Sequence, residues 1–291
     1  MKGKFHNFFK TSDNEQIFYT TNFKIDSSPK NVLVFNYGLV CSNFHFKEQV
    51  KFFDEQGYNI LLHDYRGHYQ SSGINDLEKI TFHQLALDLK ELVDFLGLSK
   101  ITLIGHSMGV NVCLEFAKNF DSTVSKMILI SGTILPVHNI MMNTHLTGPL
   151  KPILISLLEK YPKEFELFWK YGGWNPVIKK LIHAGGFNID EVSSEFIEIY
   201  LNKLGQLGPD LFFTLIDQMQ EHDILAFVHR IETKTLIIGG CSDKVIPNFL
   251  QRLMQSKLVN SQFYSIYKGS HVPQVDFPIY ANERMDLFLT S

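Results

Sequence analysis

The sequence predicts an α/β protein built on a mainly parallel sheet. Short runs of β-branched and apolar residues alternate with longer amphipathic segments along most of the chain. Each short run is apolar throughout, which is typical of a strand covered on both faces. Strands that alternate with helices are joined by right-handed crossovers, so we expect a parallel sheet with helices on both sides.

The predicted strands and the clearest helix follow from these patterns in chain order. Residues 81–96 form the clearest helix, because apolar side chains recur there at helical spacing between a Thr81 N-cap and a stop at Gly97. Residues 16–24 are predicted to form an antiparallel edge strand. The remaining strand-like runs are 32–35, 59–64, 101–105, 127–131, 235–240 and 261–267.

The alternation stops between residues 133 and 227. Prolines and glycine pairs such as Gly172-Gly173 and Gly185-Gly186 interrupt helical segments there, and no strand is evident. The segment holds many aromatic residues, including Trp169 and Trp174. It is too long for a loop without structure of its own. We therefore predict a core domain of residues 1–132 and 228–291 with an all-helical cap, residues 133–227, inserted into it.

Composition and charge exclude several classes of function. The formal net charge of the 291-residue chain is −3 and its basic residues are dispersed, which argues against nucleic-acid binding. Three distant cysteines form neither a disulfide framework nor a metal-ligand pair, and favour a reducing compartment. No apolar stretch has the length of a signal peptide or a membrane span. We expect a cytoplasmic monomer or homodimer that needs no metal.

The sequence Gly105-His106-Ser107-Met108-Gly109 stands where a predicted strand meets a predicted helix. Gly-x-Ser-x-Gly is a weak signal alone, but a sharp strand-to-helix turn would lift the serine hydroxyl above the sheet as a nucleophile. Side chains at the two glycine positions would collide with neighbouring backbone in such a turn. The alternative is a turn that only needs glycine, with a serine that takes no part in chemistry.

A serine nucleophile needs a base, and the base needs an orienting carboxylate. His271 follows the strand-like run 261–267, and Asp243 follows the predicted strand 235–240. Functional groups of parallel sheets gather beyond the carboxyl ends of the strands, so both positions are suitable. The loop after residues 127–131 offers no carboxylate. The alternatives are a surface-loop histidine and an aspartate that only caps the helix containing Pro247.

Backbone amides are the candidate donors to a developing oxyanion. Met108 begins the helix after the serine, where the amide is free and the helix dipole favours negative charge. The loop after residues 32–35 contains Gly38, which permits a close turn, and the amide of Leu39 is the second candidate. The alternative is that Gly38 is an ordinary turn glycine.

Together these segments resemble the α/β-hydrolase superfamily. The order Ser107, Asp243, His271 matches its Ser…Asp…His order, and residues 64–73 (DYRGHYQSSG) resemble its D-x-R-G-x-G-x-S segment. The sequences of these motifs are most similar to those of bacterial carboxylesterases and lipase-like hydrolases with a helical cap. The resemblance implies a sheet of about eight strands, hydrolysis without a cofactor, and a cap over the serine.

The chain departs from that pattern at two positions. Many relatives have His-Gly in the oxyanion loop where this chain has Tyr37-Gly38. The resemblance therefore does not determine the geometry of this loop or the shape of the pocket. Tyr69 stands in place of a usual glycine, which puts the local turn in doubt. Arg66 is expected to form a structural ion pair. Residues Glu221, His222 and Asp223 are expected at the solvated end of a cap helix.

The predicted function is hydrolysis of carboxylic esters with apolar or medium-chain acyl groups. Ser107 would attack the ester, His271 would transfer the proton and Asp243 would orient His271. The same three residue types also serve lactonases, thioesterases, amidases, monoacylglycerol lipases and C–C bond hydrolases. A further alternative is a ligand-binding protein that keeps the fold without the activity.

Overall fold

The computed structural model describes residues 1, 4–25, 27, 29–71, 76–136, 147–172 and 194–291. Eight strands form one sheet in the order β1-β2-β4-β3-β5-β6-β7-β8. Neighbouring strands from β4 through to β8 pair in parallel, whereas β1–β2 and β2–β4 are antiparallel. The strands are β1 Phe5–Lys10, β2 Gln16–Thr21, β3 Val32–Asn36, β4 Asn59–His63, β5 Ile101–His106, β6 Val124–Ile130, β7 Lys234–Gly240 and β8 Ser261–Ile266.

The mainly parallel sheet of eight strands confirms the predicted fold class, with one correction at its edge. The predicted edge strand is β2, which lies between β1 and β4 and is not at the edge. The edge is formed by β1, whose sequence FHNFFK is mostly exposed. An exposed edge strand lacks the continuous apolar pattern that identifies the central strands, so the sequence did not predict β1.

Helices cover both faces of the sheet. The predicted helix at 81–96 is observed as Phe82–Phe95, where the Thr81 hydroxyl accepts a hydrogen bond from the Gln84 amide at 3.1 Å. Gly97 ends it with a φ of +65°, a conformation that glycine adopts without strain. The helices are α1 Lys47–Glu55, α2 Phe82–Phe95, α3 Met108–Phe120, α4 Thr147–Lys160, α5 Pro162–Gly172, α6 Ser194–Leu207, α7 Pro209–Glu221, α8 Asn248–Lys257, α9 Pro273–Asp276 and α10 Pro278–Thr290.

The described part of residues 133–227 contains helices α4 to α7 and no strand. Residues 137–146 and 173–193, among them Trp174 and the pair Gly185-Gly186, lie outside the described residues. The division of the chain into a core and a cap therefore stays a prediction.

An aromatic cluster joins three of these helices. Trp169 on α5 packs against Phe165 of the same helix and against Phe212 and Phe213 of α7, with ring centroids 5.1 to 6.0 Å apart. Its indole N–H donates to the Leu204 carbonyl of α6 at 3.0 Å. Several of the aromatic residues noticed in the sequence thus hold the helices to one another.

Buried apolar side chains form one cluster on each face of the sheet. One cluster extends from the core to Leu207, Leu211 and Leu215 at the end of α6 and on α7. It also includes Met108, the residue after Ser107. The last two helices of the predicted cap are thereby joined to the core near the carboxyl ends of the strands.

Candidate active site

Ser107 stands in the turn between β5 and α3. Its φ of +52° and ψ of −119° place a non-glycine residue in a conformation that costs free energy. Its amide donates to the Ile130 carbonyl at 2.9 Å, and its carbonyl accepts from the Val110 amide at 2.9 Å. These bonds hold the turn, which is the sharp strand-to-helix elbow that the motif predicts.

The two motif glycines leave no room for side chains. A Cβ at Gly109 would lie 2.0 Å from the Asn36 carbonyl oxygen, which belongs to β3. A Cβ at Gly105 would lie 2.7 Å from the Gly109 carbonyl oxygen. Both glycines are required by close backbone approach, as the sequence suggested, and any larger residue would displace the turn that carries Ser107.

The imidazole of His271 lies between Ser107 and Asp243. Its Nε2 is 2.9 Å from the Ser107 Oγ, and its Nδ1 is 3.0 Å from the Asp243 Oδ2. A carboxylate only accepts hydrogen bonds, so Nδ1 carries the proton and Nε2 can take the proton of the hydroxyl. The His271 side chain is 12% exposed, whereas the Asp243 side chain is fully buried.

Asp243 is held by backbone amides as well. Its Oδ1 accepts from the amides of Val245 and Ile246, each at 2.9 Å. Helix α8 begins after Pro247, and the Asp243 carboxylate caps the loop before it, not the helix itself. The helix-capping alternative is therefore not observed, and the contact of Asp243 with His271 is the one that its predicted orienting role requires.

Sheet topology explains how three residues so distant in sequence meet. Ser107 follows β5, Asp243 follows β7 and His271 follows β8, and these strands end at the same edge of the sheet. Parallel pairing places all of their carboxyl ends on one side, where functional groups of such sheets gather.

The loop after β3 lies against the serine. A Cβ at Gly38 would be 2.9 Å from the Ser107 Cβ. Leu39 follows and is partly buried, while Met108 is the fully buried first residue of α3. The two predicted oxyanion donors therefore belong to the segments next to Ser107, and their role as donors stays a prediction.

Two tyrosines lock the loop that carries Gly38. The Tyr37 hydroxyl accepts from the Tyr65 amide at 3.1 Å and donates to the Asp64 Oδ1 at 3.4 Å. The Tyr65 hydroxyl donates to the Tyr37 carbonyl at 3.0 Å. Burial raises the pKa of both phenols well above 10, so both remain neutral donors. Sequence reasoning missed this pair, because nothing in the pattern joins residues 28 positions apart.

The segment after β4 accommodates Tyr69 with a left-handed backbone. Its φ is +43°, and its hydroxyl donates to the Cys41 carbonyl at 2.6 Å. Arg66 forms ion pairs with Asp88 and Asp13, the second at 3.0 Å, which is the structural role expected for it. Residues 72–75, which include the end of the DYRGHYQSSG segment, lie outside the described residues.

His222 differs from the sequence expectation. Glu221 and Asp223 are exposed, but the His222 side chain is only 9% exposed. It contacts the Asn111 Nδ2 at 2.8 Å and the Glu115 Oε1 at 3.0 Å, both on α3. The chain turns back onto α3 where α7 ends, so one residue of the polar triplet is largely buried while its neighbours stay in solvent.

Among the described residues, no group of three or more His, Cys, Asp or Glu side chains is placed to hold a metal ion. No helix within the described ranges has the length and apolar character needed to cross a membrane.

Known proteins resemble this chain over most of its length. A family model for the alpha/beta hydrolase fold matches residues 31–171. Protein ABHD8 of Homo sapiens is 36% identical over 266 residues, which cover 89% of this chain and 55% of that protein. The bifunctional esterase/perhydrolase DCH of Acinetobacter calcoaceticus is 25% identical over 89% of this chain and 90% of its own length.

The chain spans about half the length of the ABHD8 relatives that it matches. Among solved structures, an esterase from Exiguobacterium antarcticum superposes with a TM-score of 0.77 at 20% identity, covering 99% of this chain and 100% of its own. That likeness concerns the fold. Together with the family match over residues 31–171, the sheet order and the serine elbow, it shows that this chain has the α/β-hydrolase fold.

Proposed function

We propose that this protein is a serine hydrolase that cleaves carboxylic esters through an acyl-enzyme intermediate. One observation carries the proposal: the His271 imidazole lies 2.9 Å from the Ser107 hydroxyl and 3.0 Å from the Asp243 carboxylate. Geometry of this kind activates a serine for attack on a carbonyl carbon. A relative and a structural neighbour named as esterases support the same class of reaction.

The reaction begins when the Ser107 Oγ attacks the ester carbonyl carbon and its proton passes to the His271 Nε2. The amides of Met108 and Leu39 donate to the oxyanion that forms. His271 then gives its proton to the leaving alcohol, and the acyl group remains on Ser107. Water then attacks the acyl carbon while His271 takes its proton. The bond from the acyl carbon to the Ser107 Oγ breaks, His271 returns the proton to that oxygen, and the carboxylic acid leaves.

Asp243 orients the imidazole and stabilises the imidazolium at each of these steps. The amides of Val245 and Ile246 hold the carboxylate, so it cannot turn away from the His271 Nδ1 without losing both bonds. Loss of one oxyanion donor would cost about 3 kcal/mol of transition-state stabilisation.

We propose an apolar or medium-chain acyl group as the preferred substrate part. Support comes from Leu207, Leu211 and Leu215, which belong to the same buried cluster as Met108. The aromatic cluster around Trp169 packs between helices and gives no separate support. A small-molecule ester and a location in the cytoplasm remain predictions.

Labelling with a fluorophosphonate tests the proposed nucleophile. The wild-type protein is expected to be labelled, and Ser107→Ala is expected to lose both labelling and nearly all ester hydrolysis. Ser131→Ala is a matched control, because Ser131 is also buried with a positive φ at the end of the adjacent strand β6. An unlabelled wild type, or full labelling of Ser107→Ala, would contradict the proposal; the first result would favour a ligand-binding protein.

A series of p-nitrophenyl esters tests the acyl preference. We expect kcat/KM to be retained or to rise from two-carbon to eight-carbon acyl chains. Apolar side chains such as Leu207, Leu211 and Leu215 would favour burial of the added methylene groups. Parallel assays with thioesters and lactones separate the other reactions that these three residue types support. A strict preference for acetate, or for one of those other bonds, would overturn this part of the proposal.

A further inference from the structure

His106 directly precedes the proposed nucleophile, and its side chain reaches the loop of the proposed base. The His106 Nε2 lies 2.9 Å from the backbone carbonyl oxygen of His271. A carbonyl oxygen only accepts hydrogen bonds, so the Nε2 must carry the proton and the Nδ1 is unprotonated. This fixes the tautomer of a ring that is only 1% exposed.

The other side of the ring faces the oxyanion loop. The His106 Nδ1 is buried without a hydrogen-bond partner, and a Cβ at Gly38 would lie 3.1 Å from it. The ring centroids of His106 and His271 are 5.2 Å apart. The imidazole of His106 is thus enclosed between the two segments that must keep their positions beside Ser107.

Burial, with the nearby His271 and His45, holds the pKa of His106 well below its usual range. The ring is therefore neutral. A neutral ring at this place matters, because a cation there would oppose the positive charge that His271 acquires when it takes the Ser107 proton.

The bond from His106 joins parts of the fold that the sheet does not join. His106 ends β5 and His271 follows β8, with β6 and β7 between them. The other bonds of the His271 loop run elsewhere: the Gly269 carbonyl accepts from the Ser242 amide, and the Ser270 amide donates to Asp276. These bonds tie the loop to the end of β7 and to α9. Among the described residues, the hydrogen bonds that connect the loop to the β5 elbow come from His106 and from the His271 ring.

We propose that His106 is a positioning residue, whose hydrogen bond to the His271 carbonyl sets the distance between the His271 Nε2 and the Ser107 Oγ. The proposal rests on the proposed serine hydrolase function. A displacement of about 1 Å between reacting groups can cost about 100-fold in rate. The His106 side chain is only 1% exposed and offers little surface to a substrate, so loss of the bond should lower kcat and leave KM nearly unchanged.

Two substitutions at position 106 separate the hydrogen bond from the volume of the ring. His106→Phe keeps a ring but has no donor, and we expect its kcat to fall about 10-fold to 100-fold at an unchanged KM. His106→Gln offers an amide N–H at a similar reach and is expected to recover kcat to within about 5-fold of wild type. The rate of fluorophosphonate labelling should follow kcat in both variants.

His222→Phe is the control for general destabilisation. It replaces another largely buried histidine, whose hydrogen bonds go to Asn111 and Glu115 of α3, and it should lower the melting temperature without lowering kcat. The inference is overturned if His106→Phe keeps the wild-type kcat, if it loses activity only through KM, or if His106→Gln is as slow as His106→Phe. Wild-type protein labelled at Ser107 would leave the proposed function standing in each case, whereas unlabelled wild-type protein would overturn both.

Discussion

Helix α3 carries two imidazole networks built on the same three-part plan. In the first, His271 lies between Ser107, at the start of the helix, and Asp243. In the second, His222 lies between Asn111 and Glu115, with contacts of 2.8 and 3.0 Å. Each places a neutral polar group on one ring nitrogen and a carboxylate on the other.

The networks differ in what the imidazole faces. Ser107 presents a hydroxyl on a strained turn, and Gly38 lies beside it, where a Cβ would be 2.9 Å from the Ser107 Cβ. Asn111 presents an amide, which is no nucleophile and can only donate to or accept from the ring. The Glu115 carboxylate also accepts from Lys118 at 3.2 Å and lies 3.9 Å from the exposed His83.

A histidine between a polar side chain and a carboxylate therefore does not by itself indicate a reaction site. What distinguishes the first network is the strained turn at Ser107 and the absence of a side chain at Gly38 beside it. The second network joins the end of α7 to α3, and we expect it to stabilise the attachment of α7. Equivalent substitutions should therefore lower mainly the activity in the first network and mainly the stability in the second.

The largest difference is expected between the two histidines. His271→Ala should lower kcat/KM for an ester by more than about 1000-fold, because no base remains for the Ser107 proton. His222→Ala should leave kcat/KM within about 3-fold. Steady-state kinetics on one p-nitrophenyl ester checks both, with circular dichroism to confirm folding. Equal losses in the two variants would mean that the networks are functionally coupled.

Substitutions of the two carboxylates, Asp243 and Glu115, should differ in kcat by a smaller factor than the two histidine substitutions. Asp243→Asn is expected to lower kcat by about 100-fold to 10,000-fold, since an amide in place of the carboxylate can stabilise the wrong tautomer of His271. Glu115→Gln keeps its volume and should change kcat by less than about 3-fold. An Asp243→Asn variant with near wild-type kcat would show that the orienting role belongs to another group.

The fold and the three central site residues could be predicted because their signals are local. Central parallel strands are continuous apolar runs, and the positions of Ser107, Asp243 and His271 follow from where three such runs end. The structure brings these side chains within hydrogen-bond distance, and their chemical roles remain predictions. The glycines of the elbow also had a local reason, namely the backbone that approaches them.

Contacts between distant segments could not be predicted in this way. The Tyr37–Tyr65 lock, the bond from His106 to His271 and the burial of His222 each join residues whose local patterns are ordinary. The exposed edge strand β1 has no apolar period to reveal it. Such features depend on tertiary packing, which residue spacing alone does not specify.

Space around the hydroxyl is the next difference to test. Gly38→Ala would place a methyl group 2.9 Å from the Ser107 Cβ and 3.1 Å from the His106 Nδ1. The loop must shift, and we expect kcat to fall about 10-fold to 100-fold as the Leu39 amide leaves its position. Gly57→Ala is a control for glycine loss, because a Cβ there meets no atom within 4 Å; its positive φ should cost stability only. Wild-type kcat for Gly38→Ala would argue against Leu39 as an oxyanion donor.

The smallest expected effect concerns the second network, and it is on stability. His222→Phe removes the bonds to Asn111 and Glu115 while keeping the ring that packs edge-on against Phe82. Loss of buried hydrogen bonds of this kind costs about 1–3 kcal/mol in the free energy of unfolding. Urea denaturation measures it, and His83→Phe is the control, because the His83 side chain is 58% exposed and should contribute less than about 0.5 kcal/mol. If His222→Phe unfolds like the wild type, the second network does not hold α7 in place, and apolar side chains of α7 such as Leu211, Leu215 and Met219 must do so.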